Sequence, residues 1–161
     1  DLFQLVDDAR GVRVLYTARG VGRHEVIDEA AVTAKYGIPG RSYADFATLR
    51  GDPSDGLPGV KGIGEKTAAT LIERFGSVEG LLVAIDDPAA EMSPTIRRRL
   101  AEAADYLKVA PDVVRVRTDV PLLEFDDALP RNPRDPEALV VLSERWNLDD
   151  PLNRVLNALA R

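Results

Sequence analysis

The sequence predicts a mainly α-helical fold with a small β component. Three observations carry that expectation. Apolar residues recur at helical spacing through most of the chain beyond residue 43, one early stretch alternates with the two-residue period of a strand, and glycine, proline, serine or aspartate punctuates these segments.

In chain order, "DLFQLVDD" reads as the end of a strand, and "RVLYTARGVGRHEVID" as two short strands joined by a turn at Gly20 and Gly22. Asp28 is placed to cap a helix running through Lys35, with Gly37 and Pro39 as stops. Ser42 precedes "YADFATLR", in which Tyr43, Phe46, Ala47 and Leu49 recur at helical spacing before Gly51 ends the helix. Beyond a glycine-rich loop, "EKTAATLIERF" forms an amphipathic helix stopped by Gly76, and Ser77 caps "VEGLLVAI", so a helical hairpin is expected. Asp87 and Pro88 break the pattern. A longer helix follows from about Pro94 to Leu107, and Pro111 ends that segment. "VVRVRTDV" alternates apolar and polar residues, which fits a strand or an extended connector between helices. A turn-rich stretch from Pro130 to Pro136 leads to two terminal helices, "EALVVLSERW" and "PLNRVLNALA". Phe75, Tyr106 and Trp146 lie on apolar stripes and are expected in the core.

At 161 residues and 45% apolar composition the chain can bury a core of its own. It holds no apolar run long enough to span a bilayer and no secretory leader, so it reads as a soluble protein that stays in the cytoplasm. The first residue is Asp and not Met, which reads as a piece of a longer chain. The absence of cysteine excludes disulfides, thiolate metal sites and cysteine nucleophiles, leaving oxygen ligands or the lone His24 for any metal. With 21 basic and 27 acidic residues the net charge is −6, so a polyanion can be gripped only by a local surface.

Such a surface is visible in "LPGVKGIGEKTA". Gly59, Gly62 and Gly64 allow close approach to the main chain directly before a helix, whose N-terminal amides and dipole favour an anion. Lys61 and Lys66 add charge, and Thr67 a hydroxyl. The spacing fits neither the nucleotide-binding loop nor the dinucleotide fingerprint. It does match the helix-hairpin-helix signature, which binds DNA phosphates without reading sequence. Just upstream, Asp52 and Asp55 are three residues apart, so a helical turn there lets them share one cation beside a bound phosphodiester. Taken alone, such a pair is more common in turns and helix caps. Arg97, Arg98 and Arg99 spread around a helix axis and read as a solvated face, with one or two reaching phosphate as the sharper alternative. His24 has no metal-binding companions, and neither Ser54 nor Thr67 has a paired histidine for nucleophilic catalysis.

The stretch "GDPSDGLPGVKGIGEKTAATLIERFGS" resembles the helix-three-turn-helix region of the 5′-nuclease family, the flap endonucleases and the 5′-3′ exonuclease domain of bacterial DNA polymerase I. "DLFQLV" is similar to the family motif G-D-x-D-L-x-Q-L from its second Asp onward, and "KYGI", "YADFATLRGD" and "VRVRTDVPL" follow in the family's order. The likeness is closer to a free-standing bacterial exonuclease than to a polymerase I domain. It implies that residues 1–40 close the C-terminal edge of an α/β (PIN-like) nuclease domain and residues 41–161 form a helical DNA-binding domain, with the helix-three-turn-helix at about 51–85. It implies catalytic metal ligands at Asp1, Asp52 and Asp55, with two or more Mg²⁺ or Mn²⁺ ions. DNA contacts are implied at Gly59, Lys61, Gly62, Gly64, Lys66 and Thr67, and a K⁺ ion on the main-chain carbonyls of Val60 and Ile63. The implied partner is DNA with a 5′ end, flap or junction, met by a monomer associated with the nucleoid. The rival expectation is a non-catalytic DNA-binding module; a third is a protein-interaction domain. A third carboxylate, Asp1, is what a nuclease requires and a module does not.

Overall fold

In a computed structural model that describes residues 1–126 and 128–160, the described residues form eight α-helices and one antiparallel pair of strands. The alternating stretch becomes β1 (Val14–Tyr16) and β2 (Glu25–Ile27), paired so that Val14 faces Ile27 and Tyr16 faces Glu25. Asp28 begins α1 (Glu29–Tyr36), its carboxylate accepting from the Ala31 amide at 2.8 Å. After a single 3₁₀ turn at Gly40–Ser42 comes α2 (Tyr43–Arg50). It is buried on nearly every side from Tyr43 to Leu49.

This buried helix organises the molecule. Phe46 and Leu49 are fully enclosed and pack in one cluster with Leu71 and Ile72 of α3 (Glu65–Phe75), Val78 and Leu81 of α4 (Val78–Asp86), Leu100 of α5 (Pro94–Glu102) and Leu107 of α6 (Ala104–Val114). Each such side chain contributes roughly 1.5–3 kcal/mol by leaving water, so the loops that leave α2 are anchored to the most stable part of the fold. Ser77 caps α4 through the Gly80 amide and closes the α3–α4 hairpin.

Four local expectations are corrected. The opening segment is a 3₁₀ turn, Leu2–Leu5, and not a strand end. Its backbone closes on itself (Gln4 N–H to the Asp1 carbonyl, 3.2 Å), and the only neighbouring strand pair among the described residues is already β1 with β2. The long helix is two helices, bent at Ala103. Pro111 does not end the segment but lies inside α6. There it removes one bond in the last turn, while the Arg115 amide still reaches the Pro111 carbonyl at 2.9 Å. "VVRVRTDV" is no strand: its two valines finish α6 and the rest is the extended connector, with no ladder partner among the described residues.

Packing separates two compact units, Asp1–Thr118 and Asp119–Arg161. In the second, Asp135 caps α7 (Pro136–Trp146) at the Ala138 amide, and Asn147 in the left-handed region turns the chain into α8 (Asp149–Leu159). Trp146, expected in a core, is 62% exposed, because a two-helix unit has too little interior to enclose an indole; the Arg145 guanidinium lies over its ring. Phe75 and Tyr106, by contrast, pack against the main cluster. No helix of the described residues is long and apolar enough to cross a membrane.

Candidate metal centre and phosphate clamp

Directly after α2 the chain folds a small closed loop. Asp52 and Leu57 exchange two backbone hydrogen bonds (3.0 and 2.9 Å), with a 3₁₀ turn at Pro53–Asp55 between them. Within the loop the Asp52 carboxylate accepts from the Ser54 hydroxyl at 2.6 Å and from the Ser54 amide at 3.1 Å, and Arg50 lies 3.7 Å away. The Ser54 hydroxyl bond, chiefly, holds the Asp52 carboxyl below its ordinary pKa, so the group is ionised at neutral pH.

Asp1 arrives from the far end of the chain. Its turn is fastened by Gln4, whose amide nitrogen donates to the carbonyls of Asp1 (3.0 Å) and Val114 (3.1 Å) and whose carbonyl accepts from the Val116 amide (3.0 Å). The end of α6 therefore helps to place Asp1. One carboxylate oxygen each from Asp1, Asp52 and Asp55 lies within 4.8 Å of the others, the one such acidic grouping among the described residues. A hexacoordinate Mg²⁺ with bonds of about 2.1 Å spans about 4.2 Å between opposite ligands, so small side-chain rotations bring this triangle around an ion that keeps several waters. The donor set fits a hard divalent cation.

The loop that follows is set by close backbone contact. A Cβ on Gly59 would stand 2.5 Å from the Gly51 nitrogen and 2.6 Å from the Arg50 carbonyl, and Gly59 has φ +66°. The Gly59 amide donates to the Tyr106 hydroxyl (3.3 Å), which itself donates to the Thr48 carbonyl (2.9 Å); this amide faces the protein. Val60 and Ile63 are buried and pin both sides of a tight turn closed by the Ile63 amide on the Val60 carbonyl at 2.9 Å. Lys61 and Gly62 are left exposed at its tip, with Gly62 at φ +81° in the third position that such a turn reserves for glycine. Gly64 then opens α3 with no side-chain cap, so the amides of the first turn face outward beside exposed Lys66 and half-buried Thr67. Lys66 lines a cleft with Lys35 and Tyr36 of α1, whereas Thr67 lines one with Met92 and Ser93 ahead of α5, so the two flank the start of α3 on different sides.

The arginine run does not form a solvated face. Arg97 donates to the carbonyls of Ala84, Ile85 and Ala90 and so finishes α4. Arg98 pairs with Glu102 at 3.8 Å, and Arg99 donates to the Gly62 carbonyl at 2.9 Å. Sequence reasoning missed Gln4, the hydroxyl of Tyr106 and the selective placement of Arg99. Only the glutamine of the "DLFQLV" motif offered a signal. His24 is exposed and bonds the Val21 carbonyl at 2.7 Å.

A family model described as the 5′-3′ exonuclease, C-terminal SAM fold, matches residues 38–137. The chain belongs to the 5′-3′ exonuclease family. It is similar to a 5′-3′ exonuclease of Streptomyces coelicolor, 60% identical over 159 residues that cover 99% of this chain and 53% of that protein. A 5′-3′ exonuclease of Mycobacterium tuberculosis is 45% identical over 166 residues, covering 99% and 52% respectively. Thermostable DNA polymerase I of Thermus aquaticus is 43% identical over 145 residues, 90% of this chain and 16% of the polymerase. The chain thus spans about half the length of its free-standing exonuclease relatives.

Proposed function

We propose that this chain supplies part of the metal centre and the duplex grip of a structure-specific 5′ nuclease acting on DNA phosphodiesters. The observation that carries the reading is the meeting of Asp1, Asp52 and Asp55 within 4.8 Å, on the loop that runs straight into the glycine turn and the N-terminus of α3. A DNA-binding module without catalysis gives Asp1 no reason to join the pair.

In this reading Asp1, Asp52 and Asp55 hold Mg²⁺ or Mn²⁺ beside the scissile phosphate. Bound by these carboxylates, such ions would supply an activated water and charge neutralisation at the leaving oxygen of an in-line displacement. Ser54 orients Asp52, and Gln4 orients the turn that carries Asp1. Downstream, the amides at Gly62 and Gly64 and the charges of Lys61 and Lys66 grip phosphates of the duplex, with Thr67 as a further donor, while Gly59 shapes the turn. These contacts reach backbone and not base edges, so recognition is of a 5′ end, flap or junction. A K⁺ ion on the carbonyls of Val60 and Ile63 is part of the proposal, the Val60 oxygen keeping one lone pair beyond its bond to the Ile63 amide. The protein is proposed to act as a monomer where DNA is held.

Asp52→Asn and Asp55→Asn in the intact protein test the centre. Each is expected to lower cleavage of a 5′-flap substrate by at least about 100-fold, with junction affinity changed less than about threefold. Full activity in both variants would remove the carboxylates from the mechanism.

A further inference from the structure

Three consecutive arginines on α5 meet three different fates. Arg97 is consumed by the carbonyls that end α4, and exposed Arg98 points away to Glu102 of its own helix at 3.8 Å. Arg99 alone reaches across to the glycine turn, where its Nη1 donates to the Gly62 carbonyl at 2.9 Å and its guanidinium carbon would stand 2.7 Å from a Cβ on Gly62. The absence of that Cβ is what lets the guanidinium lie flat against the main chain.

A guanidinium carries five N–H donors in a planar fork, and one bond to a carbonyl leaves most of them for other acceptors. Nothing of opposite charge takes them: among the described residues Arg99 has no carboxylate within salt-bridge distance. Lys61 stands beside Gly62 at the tip of the same turn, and Lys66 lies in the first turn of α3. A delocalised, weakly hydrated cation is thus held at the turn by a helix distant in sequence, while the exposed side chains of Lys61 and Lys66 make no ion pair among the described residues.

We infer that Arg99 is a third basic contact of the clamp, binding a phosphate of the DNA backbone through the N–H groups that Gly62 does not use. The inference rests on the nuclease reading of the turn and adds to it a residue outside the glycine motif. Holding the turn and binding the phosphate are one arrangement, because the bond to Gly62 fixes the plane in which the remaining donors point.

The test is the salt dependence of junction-duplex binding by the intact protein, followed by anisotropy between about 50 and 200 mM salt for the wild type, Arg99→Gln, Arg99→Lys, Arg98→Gln and Lys66→Ala. Arg99→Gln is expected to flatten the slope of log K against log salt by about 0.9, one phosphate contact, equally on two unrelated sequences. Arg99→Lys keeps the charge and is expected to recover most of that slope, and Arg98→Gln to leave it unchanged. An unchanged slope in Arg99→Gln, or an equal loss in Arg98→Gln, overturns the inference, even where Arg99→Gln lowers the melting temperature. If Lys66→Ala flattens the slope and Arg99→Gln does not, the clamp stands and only this residue is withdrawn. A wild type with no salt-dependent binding withdraws the clamp as well.

Discussion

Gly59 and Gly64 look equivalent in the sequence, five residues apart in one loop, yet their surroundings give them opposite roles. Gly59 faces the backbone of Arg50 and Gly51 with no room for a methyl group, in a conformation that side chains avoid. Gly64 has ordinary extended angles and nothing within 4 Å of an added Cβ. Gly59→Ala is therefore expected to cost about 2–3 kcal/mol in urea unfolding, from strain and forced backbone displacement together. Gly64→Ala should stay within about 1 kcal/mol of the wild type and weaken DNA binding, because the added methyl stands at the proposed phosphate approach to the helix amides. Equal loss of stability in the two variants would contradict the assigned roles. Counting glycines locates the turn; which one is structural depends on what lies across from it, and the Val60 amide on the Leu49 carbonyl holds the loop against Arg50 and Gly51.

Between elements, one ion network ties three helices together. Arg115, just past α6, donates to Asp45 on α2 at 2.9 Å and to Glu79 on α4 at 2.7 Å. Burial pushes the Asp45 carboxyl above its ordinary 3.8, although the Arg115 bond and charge work against the shift. An acid whose folded pKa is raised holds its proton more tightly when folded, so its ionisation erodes stability as pH rises above 3.8. Burial also opposes charge on Glu79, but bonds from its own backbone amide and from Arg115 outweigh that, and its pKa falls below 4.5. Glu79 therefore adds stability above 4.5 that is lost as pH falls. Removing Arg115 worsens both contributions at neutral pH and neither once the acids are protonated. Arg115→Met is expected to cost about 2 kcal/mol at neutral pH and clearly less near pH 4, the half-exposed arginine keeping the loss below that of a fully buried pair. A loss independent of pH would exclude the network as its source. The sequence announces none of this: Arg115 sits in an alternating stretch that reads as a strand. Helix ends, in contrast, were legible wherever a side chain or glycine closes them locally, as Asp28, Ser77 and Gly76 do. The break at Ala103 and the tolerated Pro111 carry no local mark, because α5 packs on α4 whereas α6 packs on α2, a tertiary difference between the two.

On the scale of the molecule, every member of the main cluster, from Ile38 to Val114, belongs to the first compact unit. A chain ending at Thr118 is therefore expected to keep a cooperative thermal transition and the near-complete helical signal of residues 1–118, measured by circular dichroism. A non-cooperative melt would show that the second unit is needed for folding. The net charge of −6 does not oppose the proposed grip, since that grip is local: three carboxylates meet at the proposed metal centre, while Lys61, Lys66 and Arg99 lie at the turn and the start of α3 or reach it. The helical class, the strand pair, the α3–α4 hairpin and the position of the glycine turn could all be read from the amino acids, because caps, periodicity and turn chemistry act over a few residues. Tertiary packing alone brings Asp1 to Asp52 and Asp55, closes Gly59 on Gly51 and lays Arg99 on Gly62, since these depend on contacts between segments far apart in the chain, which no local pattern encodes.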